Sequence, residues 1–340
     1  MKLFHSLLYP LLGGLFCLSC SDDEQDSGTK QPTTAGEVTF GVDLTGFSTR
    51  VTQDGSSWND GDKIGTYVLD MKTLEPVTEA ANVPYVCSEE GASVSFTSTT
   101  PLKVQNDGTP VKFVAYYPYN ADVRNFNYPV QLAAQERGST ACDLLYAATK
   151  EEYTYSPENE PHISLNFTHR LAKVILKFVN MEKEPLEVSD VRIEGMQTAA
   201  SFNIQTDVLT VDESSVATIN PYHNATTGFY EAIILPSALT DSYKVSFVLD
   251  DREKEWIFTN LDIALPQFHK GYSYTFALYI DDSGFVEMGR LENVEGGNSS
   301  APWEDGSSED GTAEGDKTPV SGYAFTPADG TQQALADTEL

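Results

Sequence analysis

Basic residues are scarce in this 340-residue chain: 21 Lys and Arg stand against 51 Asp and Glu, a formal net charge of −30. That deficit excludes ordinary nucleic-acid binding, which needs a basic surface to meet phosphate. Cysteine is scarcer still, at four residues, and histidine numbers five. No His-Glu-x-x-His motif, Gly-x-Ser-x-Gly elbow, phosphate loop or dinucleotide fingerprint occurs. The chain therefore reads as a non-enzyme with no catalytic residues, no cofactor and no metal. From residue 25 onward no apolar run is long enough to span a bilayer. What the sequence does hold is 40% hydrophobic and 11% aromatic residues, enough for packed cores.

The polar candidates are readily explained as structure. His162 and His169 lie seven apart in strand-like sequence, so they point to opposite faces and would not share a metal. Asp54, Asp60 and Asp62 do not follow the EF-hand spacing and suit turns. Glu89-Glu90 and Glu151-Glu152 are chain neighbours and cannot flank a sugar from two sides.

The chain opens with Lys2 and a short apolar run, Leu7 to Leu18, ending at Ser19-Cys20. This resembles a bacterial lipoprotein signal, with residues 1–19 removed and Cys20 carrying acyl chains such as palmitate. Cys17 and Leu18 depart from the usual residues of such a box, and an ordinary cleaved signal is the alternative. The acid block Ser21-Asp22-Asp23-Glu24 resembles a surface-export signal, at the head of a flexible linker spanning 20–36. The expected location is the cell outer membrane, surface-exposed and lipid-anchored. Cys87 and Cys142 remain, as either a disulfide or two buried thiols.

The body repeats with a period of two. Val38, Phe40, Val42 and Leu44 share one face, as do Ile163, Leu165 and Phe167, then Ala172, Val174, Leu176 and Phe178. Val245, Phe247 and Leu249 repeat the habit, and Tyr272, Tyr274, Phe276, Leu278 and Ile280 close the series. Turn signals such as Asp60-Gly61, Asp107-Gly108 and Asn120 separate the runs. The expected fold class is all-β, with two antiparallel β-sandwich domains in tandem. Polar residues 151–161 suggest a boundary, giving domains at 37–160 and 161–303. Residues 304–340 form an acidic low-complexity tail with a short candidate strand at 319–325. Gln131–Ser139 is the one stretch suited to a short turn of helix. Tyr153 and Tyr155 suit packing, with glycan stacking as the alternative.

Six phrases in order carry a resemblance: Thr49–Val68, Phe113–Tyr119, Asp143–Ala148, Leu165–Phe178, Leu265–Leu278 and Ala301–Gly306. Together they resemble the fimbrillin, or Mfa-like, family of surface lipoproteins that form or decorate type V pili. The resemblance implies sandwiches of transthyretin-like or immunoglobulin-like type. It also implies protease removal of the lipid-bearing segment and first strand, and partnership with other pilus subunits through strand donation. Arg50, the sole arginine between Cys20 and Arg124, fits the cut site, with a plain turn arginine as the alternative. The donor strand would come from Gly284–Val294 or Pro319–Phe325. The implied function is a pilus subunit or an accessory or tip adhesin, with a receptor on a host or bacterial surface. The alternative is a glycan-binding surface lipoprotein of a nutrient-uptake system.

Overall fold

The computed structural model describes residues 35–42, 58–77, 81–91, 94–135, 142–158, 160–181, 186–249, 252–257 and 267–280. It adds the backbone of short strands at 286–292, 304–305, 324–325 and 332–333. The all-β expectation holds: strands and turns fill the described residues, with no α-helix.

The first lobe is built from β1 (Ala35–Glu37), β2 (Thr39–Val42), β3 (Lys63–Asp70), β4 (Val83–Cys87), β5 (Val94–Thr97) and β6 (Lys103–Gln105). It continues with β7 (Val111–Tyr117), β8 (Asn127–Gln131), β9 (Leu145–Ala148), β10 (His162–Ser164) and β11 (Thr168–His169). Eight of these make one sheet in the order β10-β2-β5-β4-β3-β7-β9-β11, while β1 pairs with β6. The sheet curls on itself. The rings of Phe40 on β2 and Phe113 on β7 lie 5.9 Å apart, although β2 and β7 are four places apart in the order. In a flat sheet that gap would be about 19 Å, at ~4.8 Å per strand. Curling brings the inward residues of both halves into one core around Phe40, Trp58, Tyr85, Phe96, Phe113 and Phe167.

The second lobe starts with β12 (Ala172–Asn180), followed by β13 (Val188–Glu194), β14 (Ala199–Asn203), β15 (Val208–Val211) and β16 (Tyr222–Asn224). Then come β17 (Phe229–Ile234), β18 (Ser237–Ala238), β19 (Lys244–Leu249), β20 (Arg252–Ile257), β21 (Gln267–Phe268), β22 (Tyr272–Ile280) and β23 (Val286–Glu292). The sheet β16-β17-β12-β22-β23 and the sheet β13-β19-β20 enclose a core of Val174, Leu176, Val245, Phe247, Tyr274 and Phe276. This is a sandwich of two facing sheets. Gly271 has φ of +83°, a conformation open to glycine, and its N–H donates to the Leu171 carbonyl at 2.7 Å, turning the chain into β22.

A third core joins the lobes, which belong to one compact unit. Val114 and Tyr116, on the outer face of β7, meet Phe202 of β14 together with Ile233 and Leu235. The apolar runs of β3 and β7 are thus buried on both faces. Gln135, fully buried, stitches the junction: its Nε2 donates to the Leu132 and Ile233 carbonyls, and its Oε1 accepts from the Ile233 N–H at 2.7 Å.

Two details differ from the sequence reading. Residues 162–169 do not open the second sandwich. His162–Ser164 pairs with β2 and Thr168–His169 with β9, so the chain changes sheets at Arg170–Leu171. Gln131 ends a strand instead of starting a helical turn, and residues 136–139 lie outside the described residues.

Candidate functional site: a slot filled by the leading strand

Residues 35–42 form the candidate site. Val38, Phe40 and Val42 are buried, at 0%, 0% and 3% exposure, and Gly36 is buried with them. Each apolar side chain contributes about 1.5–3 kcal/mol by leaving water. Their sum rivals the ~5–15 kcal/mol net stability of a whole domain. The Phe40 ring meets Tyr85 edge-on at 4.8 Å. Leu44 and the residues after it, through 57, lie outside the described residues.

The strand switches layers at Val38. Before it, β1 pairs with β6; after it, β2 lies between β5 and β10. Neither main-chain group at the switch is orphaned. The Val38 N–H donates to the Leu102 carbonyl at 2.9 Å. The Tyr85 hydroxyl donates to the Val38 carbonyl at 2.9 Å and accepts from the Leu102 N–H at 2.8 Å. Burial pushes the Tyr85 phenol up to about 12. The pairings of β2 are short: Thr39–Gly41 run parallel to His162–Ser164, and Phe40–Val42 run antiparallel to Val94–Phe96. Any strand taking this place with the same pairing must run in the same direction.

Around the slot, Trp58 is fully buried. It packs edge-on against Phe96 at 5.0 Å, Tyr117 at 5.3 Å and Phe167 at 5.6 Å. The turn after it is held by Asp62, whose Oδ2 accepts from the Asn59 N–H at 2.7 Å. Burial raises the Asp62 carboxyl, against the pull of that hydrogen bond. Tyr155 packs in the core, and the half-buried Tyr153 packs against it, its ring 5.7 Å from that of Phe113.

The remaining candidates scatter. Cys20 and Arg50 lie outside the described residues. Cys87 and Cys142 are free thiols, which corrects the disulfide alternative: Cys87 is buried in the first core and Cys142 packs beside the third. His162 is exposed, its Nδ1 3.0 Å from the Thr39 hydroxyl. His169 is buried, its Nδ1 2.8 Å from Asp143 Oδ2 at the crossing between sheets. Among the described residues no group of three or more His, Cys, Asp or Glu could hold a metal.

Sequence reasoning missed the parallel partner β10, the Tyr85 hydroxyl anchor and the buried His169–Asp143 pair. The only advance signal for β10 was its apolar alternation, which gives no pairing partner.

Solved structures share this fold. A Bacteroides uniformis protein described as a candidate cell adhesion protein aligns with a TM-score of 0.59 at 22% identity, over 74% of this chain and 94% of its own. A similarly described Bacteroides ovatus protein gives 0.56 at 15%, over 73% and 94%. A third, from Bacteroides fragilis, gives 0.51 at 16%, over 77% and 98%. No curated protein matches the sequence. The fimbrillin-like family model matches residues 49–303, well over half of the sequence. The chain belongs to the fimbrillin-like family.

Proposed function

We propose that this chain is a non-enzymatic surface lipoprotein, a pilus subunit or adhesin that joins its neighbours by strand exchange. Family membership supports a pilus- or adhesin-like role at the cell surface. In this reading the chain is exported with acyl chains on Cys20, and a trypsin-like protease cuts after Arg50. The segment bearing β1 and β2 then leaves, and a partner's strand fills the slot by β-augmentation.

The observation that carries the reading is the leading strand itself. It is fully inserted, yet β1 pairs with β6 over only three residues, β2 is held by three-residue pairings on each side, and no other described strand precedes them. Its departure exposes unpaired main chain on both β5 and β10 and empties the place of Phe40. N-terminal sequencing of protein shed from the cell surface tests this. A mature start at Val51 supports it. Protein recovered only as an intact lipidated monomer contradicts it.

A further inference from the structure

The slot reads side-chain size as well as main chain. Its inward positions are 36, 38, 40 and 42, filled by Gly, Val, Phe and Val. At the first position a Cβ would lie 2.4 Å from Cε2 of Tyr155 and 3.0 Å from Cδ of Pro161. Tyr155 and Pro161 are themselves buried, so neither is free to swing clear. The second position sits where the Tyr85 hydroxyl grips the main chain. The third is a ring-sized space bounded by Tyr85 and Phe113. A contrasting position is Gly41, where a Cβ would meet the ring of His162 at 2.6 Å. His162 is exposed and can turn away, so position 41 is permissive.

The order glycine, aliphatic, aromatic, aliphatic at alternate positions occurs once in the sequence, at 36, 38, 40 and 42. Gly284, Val286 and Met288 approach it, but Arg290 stands where an aliphatic residue is needed. Placing that guanidinium at the buried fourth position would strand a charge.

Resting on the strand-exchange reading, we infer that the slot selects its incoming strand by this size order. Tyr155 and Pro161 are the specificity-determining residues at the glycine end. The fitting strand belongs to a different polypeptide, one carrying glycine, aliphatic, aromatic and aliphatic residues at alternate positions.

The test uses the full chain with a site-specific protease sequence replacing residues 47–52, nicked after folding. Labelled peptides compete for the slot: residues 34–44, the same peptide with Gly36→Val, the same with Phe40→Ala, and residues 283–293. Uptake is read by fluorescence anisotropy. The unaltered peptide should enter, and each of the other three should bind at least tenfold more weakly. In the Tyr155→Ala chain the penalty for Gly36→Val should shrink while that for Phe40→Ala stays. Equal binding of the Gly36→Val peptide, or an undiminished penalty in the Tyr155→Ala chain, overturns the selection. Equal binding of 283–293 overturns the inference of a different polypeptide. If even the unaltered peptide stays out, strand exchange itself fails. The notch is then judged in the uncut chain: Gly36→Val should lower Tm, and adding Tyr155→Ala should recover part of the loss. Absence of that recovery overturns the notch as well.

Discussion

Each lobe contains a parallel strand pair within a mostly antiparallel sheet, β2–β10 in the first and β12–β22 in the second, and these two pairs are built very differently. In the second lobe, β12 and β22 run together over eight residue pairs, from Lys173↔Ser273 to Asn180↔Ile280. In the first lobe, β2 and β10 share three. Burial per residue is alike: Phe40 and Phe276 are both at 0% exposure. What differs is the number of ladder bonds and the place in the chain. β12 is tethered at its start to the first lobe through Arg170, so it cannot leave without unfolding both. β2 is preceded only by β1 among the described strands. On the strand-exchange reading, a strand can be central to a core and still be replaceable, provided its ladder is short and one end of it can be freed.

The comparison breaks most severely if the leading strand is cut away without replacement. Loss of Val38, Phe40 and Val42 together should unfold or loosen the first lobe and leave the second largely intact. Trp58 reports one lobe and Trp256 the other, so fluorescence of Trp256→Phe and Trp58→Phe variants, each also carrying Trp303→Phe, separates the responses. A uniform collapse of both signals would show that the lobes do not differ in this way. Next in size, Phe40→Ala and Phe276→Ala should each cost about 3–5 kcal/mol in chemical denaturation. After nicking between residues 42 and 58, only the Phe40→Ala chain should lose its leading strand on gel filtration.

The junction is the next comparison. Arg170 pairs with both carboxylate oxygens of Asp207, at 2.5 and 3.0 Å, and its guanidinium lies 4.7 Å from the Tyr146 ring centre. Arg170→Ala should cost about 1–3 kcal/mol, measured by urea denaturation, because a charge-assisted pair and its stacking are lost together. Lysine should recover little, since it cannot bond in the same forked way.

A smaller effect concerns pH. The Tyr85 phenol is held near 12, above the ordinary value near 10, so the fold favours its protonated form. Its contribution is complete below pH 10 and is lost as pH rises through 12. Tyr85→Phe should cost about 1–3 kcal/mol at neutral pH, by leaving the Val38 carbonyl and Leu102 N–H without their hydroxyl partner. It should also flatten the alkaline fall in Tm relative to the parent.

Much of this was legible beforehand. Alternation at 38–42, 172–178 and 272–280 located inward faces, because a half-buried strand writes its burial with a period of two. The inward set Val38, Phe40 and Val42 is the one found in the slot. Pairing was not legible. Ile163, Leu165 and Phe167 alternate like any strand, and nothing local says that His162–Ser164 lies beside β2, some 120 residues earlier. The same limit hid the sheet change at Arg170: one strand-like phrase from Leu165 to Phe178 serves two different sheets. Gly36 gave no signal either, since its role depends on Tyr155 and Pro161 arriving from far along the chain.

The central claim is that β2 must leave before a partner can join. Val42 and Val94 face each other across the antiparallel pair, so Val42→Cys with Val94→Cys, in a Cys87→Ser and Cys142→Ser background, would lock the strand in place on oxidation. The measurement is assembly of the nicked chain with its partner strand, followed by size-exclusion chromatography. The account predicts no assembly while the lock is oxidised and full recovery on reduction. Equal assembly of the oxidised and reduced chains would contradict it.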